Sequence, residues 1–282
     1  MIDIGQMNEL EVHRKLKSCY LLRATDFDID VTLPIEEVEG DLEIGDRVEV
    51  FVYVGSKDEP VTSLKKPKAM VGDYFVASVV ENHQFGSFVD WGISKDLLIP
   101  DTEQKERMGV DRFYIIKVCL DERTNKVYGT TKIGKYLEDT TFDIKVKDRV
   151  KVIPAKKEEL GFRSLVNGKY IGMIYYNEVF QYIELGKELD GIVKKIRPDN
   201  LVDISLQKLG IGNLEDSQSV IINYLSLKGG KSPLNDKSSP EDIRRELKMS
   251  KKTFKSAIGM LYKKKQILIH SDGIELNYKS RK

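Results

Sequence analysis

Residues Phe75 to Pro100, FVASVVENHQFGSFVDWGISKDLLIP, decide the fold. Apolar and polar side chains alternate from Phe75 onward, as in a strand with one buried face. The pattern breaks at a glycine, Gly86, and resumes between two phenylalanines, Phe85 and Phe88. The order is strand, tight turn, aromatic-bearing strand, acidic turn, strand. Rings on a small sheet suit unstacked bases, because every base has a π-face to lay on a ring. Phe85 and Phe88 are three positions apart, so a regular strand sends them to opposite faces. A bulge at Gly86 would bring both outside; without one, one of the two belongs to the core.

Working outward, the closing half of this unit recurs. Residues 45–64 read GDRVEVFVYVGSKDEPVTSL, residues 109–132 GVDRFYIIKVCLDERTNKVYGTTK, and residues 186–207 GKELDGIVKKIRPDNLVDISLQ. Each runs from a glycine through a strand, turns on a polar cluster and re-enters a strand. Val48, Val50, Val52 and Val54 fall on one face of the first of these strands. Opening halves correspond at 18–38, 85–100 and 160–174. Five short strands per repeat predict three tandem five-stranded barrels, with KKPKAM and GKYLEDTTFD as linkers.

The tail changes period. LEDSQSVIINYLSLK, 214–228, reads as a helix. Ser239 and Pro240 start a second, with Glu241 and Asp242 in its first turn. Ser250 caps a third, and ILIHSDGIELN reads as a hairpin turning on Asp272-Gly273. Helix, helix, helix, hairpin is the winged-helix order. The fold class is therefore mainly β with an α+β tail. The expected domains are barrel one at 1–63, barrel two at 64–140, barrel three at 141–212 and a winged helix at 213–282.

Composition narrows the function classes. The 282 residues are 40% hydrophobic and 32% charged, as in a folded soluble chain. No apolar run is long enough for a membrane span, and the N-terminus has neither the basic nor the apolar region of a secretory signal. Cys19 and Cys119 do not form a disulfide framework, which fits a reducing cytoplasm. Net charge is +1 overall, yet it is −9 over 1–63, zero over 64–140, +3 over 141–212 and +7 over 213–282. Polyanion binding gains from counterion release, so it should concentrate toward the C-terminus. His13, His83 and His270 are scattered, with no ligand spacing for a metal. No phosphate-cradling glycine loop ending in Lys-Ser/Thr occurs, and no GxSxG elbow. The expectation is a non-enzyme without cofactor, metal or small-molecule substrate.

The second repeat resembles the S-one domain, an oligonucleotide-binding barrel whose second strand reads close to FGAFV and whose aromatics stack on RNA. Three such barrels followed by a winged helix resemble the conserved virulence factor B family. That resemblance spans nearly the whole chain; the second repeat carries it most specifically and the first least. It implies an RNA-binding protein acting in post-transcriptional regulation.

Candidate contacts follow. Phe85, Phe88 and Trp91 lie at or beside the stacking positions of the S-one pattern. In the third repeat LGFRSLVNGKY aligns with FGSFVDWG only ambiguously; Phe162 and Tyr170 are its candidate platforms, with Arg163 and Lys169 toward phosphate. Two departures weaken the pattern. The family's LIHIS histidine is replaced by Ile99 or Pro100. The basic residue entering the last strand is replaced by Asp203 in the third repeat and by Val127 or Tyr128 in the second. The first repeat offers only Tyr20 and suits a structural or protein-facing role. On the wheel of the third tail helix, Phe254, Ala257, Ile258 and Leu261 form the apolar stripe. Lys252, Lys255, Ser256, Gly259 and Lys263 face away, a small basic face suited to phosphate rather than base edges. The expected partner is single-stranded RNA, with weak DNA binding and no membrane association. A duplex-binding transcription factor and a protein scaffold using barrel one are the competing readings.

Overall fold

The computed structural model describes residues 2–24, 30–55, 58–176, 179, 182–206 and 211–278, with the side chains of 211–216 excepted. Of the opening half expected at 18–38, residues 25–29 lie outside these. The first barrel is closed and made of β1 (Met7–Lys15), β2 (Cys19–Arg23), β3 (Asp30–Pro34), β4 (Arg47–Val54) and β5 (Pro60–Ser63). Antiparallel neighbours run β4-β1-β2-β3, and a parallel pairing of β3 with β5 at Thr32 and Val61 completes the ring.

The second unit contains β6 (Tyr74–His83), β7 (Gly86–Val89), β8 (Leu97–Pro100), β9 (Phe113–Asp121) and β10 (Lys126–Thr130). Its sheet order is β10-β9-β6-β7-β8. The two edges meet through packing: a Cβ on Gly129 of β10 would lie 3.0 Å from Ile99 Cγ1 and 3.2 Å from Leu97 Cδ2 of β8. The third barrel, β11 (Arg149–Lys157), β12 (Gly161–Val166), β13 (Tyr170–Tyr175), β14 (Leu189–Ile196) and β15 (Val202–Ser205), is closed by a parallel pairing of Gly172 with Val202.

The expected valine face holds in β4, where Val50 and Val52 are fully buried. Its alternate face is buried too, however: Phe51 is 0% and Tyr53 6% exposed. The reason is that barrel two covers that face. Phe51 and Tyr53 join Ala69, Trp91, Ile93 and Ile116 in one core shared by the first two barrels. Residues expected as a linker are part of it, with Ala69 only 4% exposed. Lys95 Nζ donates to the Val54 carbonyl (2.8 Å), and Lys126 pairs with Asp58 (2.6 Å).

The winged helix comprises α1 (Ile211–Leu227), β16 (Lys231–Ser232), α2 (Pro240–Leu247), α3 (Lys251–Lys263), β17 (Ile267–His270) and β18 (Gly273–Leu276). Each predicted cap forms: the Ser239 and Ser250 hydroxyls accept from the backbone N–H of Asp242 and Thr253 (both 3.0 Å). Lys248, in the left-handed conformation at φ 52°, ends α2 and leaves almost no chain before α3. Ile221, Leu225, Ile243, Phe254, Leu261 and Ile267 build its core. The hairpin turns one residue earlier than expected, on Ser271 and Asp272. Gly273 is instead the first residue of β18 and pairs with His270. A Cβ there would sit 2.1 Å from the Ser232 carbonyl oxygen of β16, a strand the sequence did not reveal.

Candidate nucleic-acid interface

The two-residue loop Gln84–Phe85 joins β6 to β7 and sets His83 opposite Gly86. Phe85 projects from this loop and is 50% exposed, while Phe88 is half-buried in β7. The expected bulge exists but lies elsewhere, in β6 between Val79 and Glu81. Both rings reach the outside because Phe85 leaves from the turn and Ser87, between them, points inward. Gly86 is required by close approach: a Cβ would fall 2.4 Å from the Ile99 carbonyl oxygen.

His83 joins the two phenylalanines. Its ring stacks on Phe85 at 5.5 Å and meets Phe88 edge-on at 5.3 Å; Phe85 and Phe88 meet edge-on at 5.9 Å. The imidazole also contacts the Glu81 carboxylate. In the sequence His83 reads as one of three scattered histidines. The signal was there in HQFG, since a two-residue hairpin puts the residue before the loop beside the loop's aromatic. An imidazole is thus supplied from β6, while the family's histidine position in β8 is occupied by Ile99, fully buried, and half-buried Pro100.

Trp91 does not belong to this surface. It is 1% exposed, its indole N–H donates to the Ala69 carbonyl (2.7 Å), and its ring meets Phe51 edge-on at 5.2 Å. It joins barrel two to barrel one, so no base can reach it.

Backbone hydrogen bonds resolve the alignment of the three repeats. Asp101 N–H donates to the Phe85 carbonyl, Tyr176 N–H to that of Leu160 and Ile35 N–H to that of Ser18, at 3.1–3.2 Å. Gly161 repeats the close approach of Gly86, its Cβ position lying 2.1 Å from the Ile174 carbonyl oxygen. Phe85 therefore corresponds to Leu160 and Ser18, and Phe88 to Arg163 and Leu21. Where His83 meets Phe88 in barrel two, barrel three places Glu158 and Arg163 in a two-pronged ion pair (2.7 and 3.3 Å). The same scaffold position is aromatic in one repeat and charged in the next.

Phe162 takes the place of Ser87, not of either platform phenylalanine. It is half-buried and meets Tyr176 edge-on at 5.5 Å. Tyr170, the first residue of β13, is 4% exposed and so is no platform. Lys169 is exposed in the turn before it. Asp203 does not stand alone as an acidic substitution, since Arg197 Nε donates to it at 2.5 Å. Tyr20 of barrel one is fully buried, with its hydroxyl on Asp41.

On α3 the wheel reading holds. Phe254, Ala257, Ile258 and Leu261 are buried, and Lys252, Lys255, Ser256 and Lys263 are exposed. The sequence reading missed Tyr262 (54% exposed) and Met260 (39%) on the same outer side. Lys264 donates to Gln218 of α1 (2.9 Å), and Lys265, at φ 57°, ends the helix in the left-handed conformation. Among the described residues no group of three or more His, Cys, Asp or Glu is placed to hold a metal ion, and no helix is long and apolar enough to cross a membrane.

Comparison with known proteins adds relatives with the same domain order. A model described as the CvfB-like winged helix domain matches residues 219–276. The S1 domain model matches residues 4–65, the barrel in which the sequence reading found the resemblance weakest. Conserved virulence factor B of Staphylococcus epidermidis is 28% identical over 98% of this chain and 95% of its own length. By domain order and by sequence, the chain is similar to the conserved virulence factor B proteins. A Bacillus subtilis relative, "Uncharacterized protein YitL", is 28% identical over 92% of this chain and 89% of its own. A solved multidomain protein with nucleic acid binding domains from Streptococcus pneumoniae covers 97% of this chain and 98% of its own, at 23% identity and a TM-score of 0.47. An S1 domain together with a winged helix points to nucleic-acid binding and to a binding protein rather than an enzyme.

Proposed function

We propose that this chain is a non-catalytic RNA-binding protein that grips single strands at two tethered places. Bases stack on Phe85, Phe88 and His83 of barrel two, and phosphates meet Lys252, Lys255, Ser256 and Lys263 of α3. The ring trio carries the reading: three aromatic side chains gathered at one hairpin, with Phe85 half in water, have no packing purpose that would keep that ring exposed. Each base stacked there contributes about 1–3 kcal/mol. The lysines act as point charges toward the backbone, and tethering two weak sites raises the overall affinity. Lys169 adds a basic contact on barrel three. Arg163 serves there only when a phosphate displaces Glu158. Barrel one, net −9 and without a ring at the platform positions, fits a structural or protein-facing role. Post-transcriptional control of gene expression is the cellular role that suits such a protein.

A competition between single-stranded RNA and duplex DNA for the full chain, repeated across salt concentrations, tests this. Preference for the single strand and a clear negative slope of log affinity against log salt are expected. Duplex preference would transfer the function to the winged helix as a DNA reader, and absence of any single-strand binding would overturn the reading.

A further inference from the structure

Barrel two carries a cleft beside the ring trio, about 430 Å³ in volume, a size that suits a small planar ligand. Its floor is a continuous polar network. The Ser87 hydroxyl donates to Asn82 Oδ1 (2.6 Å), and Gln104 Nε2 donates to Ser87 (3.1 Å) and to the Ile99 carbonyl (3.1 Å). Gln104 Oε1 accepts from Met108 N–H (3.1 Å), and Asn82 Nδ2 donates to the Met108 carbonyl (3.0 Å). Ser87 is 3% and Gln104 9% exposed. Arg107, Asp101 and Glu106 stand exposed at the rim.

The sibling repeats show that a barrel of this kind does not need such a network. Asp101, Tyr176 and Ile35 each accept from the N–H three residues on, at Gln104, Val179 and Val38. Ser87 corresponds to Phe162 and to Tyr20. At the two positions where barrels one and three place an aromatic and a valine, barrel two places a serine and a glutamine. Shrinking the aromatic to serine opens the cleft, and the glutamine gives it a fixed, hydrogen-bonded wall. A buried amide needs its bonds made, and Gln104 makes them through both Nε2 and Oε1, which fixes the orientation of the wall.

We infer that this cleft reads one base of the bound strand, and that the base is guanine. The inference rests on the reading of the ring trio as a strand-binding surface. A base unstacked onto Phe85 presents its edge to neighbouring side chains. Guanine offers two acceptors, O6 and N7, to a guanidinium fork, and its ring N1–H and N2 amino group can donate to a carboxylate. Arg107 supplies the fork, and Asp101 or Glu106 the acceptor. Adenine and cytosine carry an amino donor where guanine has O6, and uracil lacks the second acceptor of that pair.

The test uses the full chain and labelled RNA strands of about 8 nucleotides, within the site size of one such barrel. One strand is all adenine; the others carry a single central guanine, cytosine or uracil. Wild type should bind the guanine strand about 5- to 150-fold tighter than the adenine strand. The variants Ser87→Phe and Gln104→Val, each copying the side chain of a sibling repeat, should bring that ratio close to one, as should Arg107→Ala. Phe85→Ala should instead lower affinity for all four strands alike. Equal binding of the four strands by wild type overturns guanine reading while leaving the strand-binding surface intact, and so does a guanine preference that survives in a folded Ser87→Phe or Gln104→Val. Failure to bind any strand removes both.

Discussion

Replacing Phe85 by alanine separates binding from folding. The ring is 50% exposed, so about half of its burial free energy, roughly 1 kcal/mol, was gained on folding. Its contacts with His83 and Phe88 lie at 5.5 and 5.9 Å, in water-exposed surroundings, and should add toward the low end of about 0.5–1.5 kcal/mol. The expected loss of stability is therefore about 1–2 kcal/mol, a fall in melting temperature of only a few degrees. The loss in binding is larger, because one base stack worth about 1–3 kcal/mol disappears, weakening single-strand affinity about 5- to 150-fold. Fluorescence anisotropy with a labelled single strand, beside a thermal melt, measures both. Trp91→Ala is the converse control, in which stability rather than a binding contact is lost. Trp91 is 1% exposed in the core joining two barrels, and truncation should cost about 3–5 kcal/mol of stability. A folded Phe85→Ala protein that binds within about twofold of wild type would refute the stacking argument.

Two further predictions concern charge. Replacing Lys252, Lys255 and Lys263 together by alanine removes up to three phosphate contacts, so the slope of log affinity against log salt should become less negative by about 2. Their side chains are exposed, so the melting temperature should hardly change; an unaltered slope would take α3 out of the interface. Asp90 is held below the ordinary carboxylate range, first by the Lys68 ammonium (2.5 Å) and then by the Gly92 N–H (2.8 Å). A depressed carboxyl stabilises the fold above its ordinary value and stops doing so as pH falls through its folded value. Asp90→Asn should therefore be less stable than wild type at neutral pH, with the difference closing below about pH 4. A difference in melting temperature that stays constant with pH would exclude this ion pair as its source.

Local rules made much of the architecture legible. The α3 wheel separated the buried stripe from the exposed lysines because that helix has one buried face, and a serine cap with a following proline marked α2. The valines of β4 were assigned to the core for the same reason. What failed was knowledge of what covers an outer face. The face of β4 opposite the valines, with Phe51 and Tyr53, carries no local sign of what covers it, and Trp91 reads as a ring beside its neighbours Phe85 and Phe88. Barrel two covers Phe51 and Tyr53, and barrel one covers Trp91; these contacts join residues tens of positions apart, and no local period encodes them. Tyr170 failed differently: a tyrosine opening a strand beside a basic turn reads as exposed, yet its ring is buried. In the third repeat, alignment by residue type matched Phe162 to a platform phenylalanine. Only the backbone bond from Tyr176 to Leu160 shows that it stands where Ser87 does. His83 was hidden because its partners are set by hairpin register rather than by sequence spacing alone.

The most direct measurement is photocrosslinking of the full chain to single-stranded RNA carrying a photoreactive uridine analogue, followed by mass spectrometry of the digested adduct. Adducts on the peptide that contains His83, Phe85 and Phe88 are the predicted result. Adducts confined to barrel one, or to barrel-two peptides lacking those three rings, would contradict it.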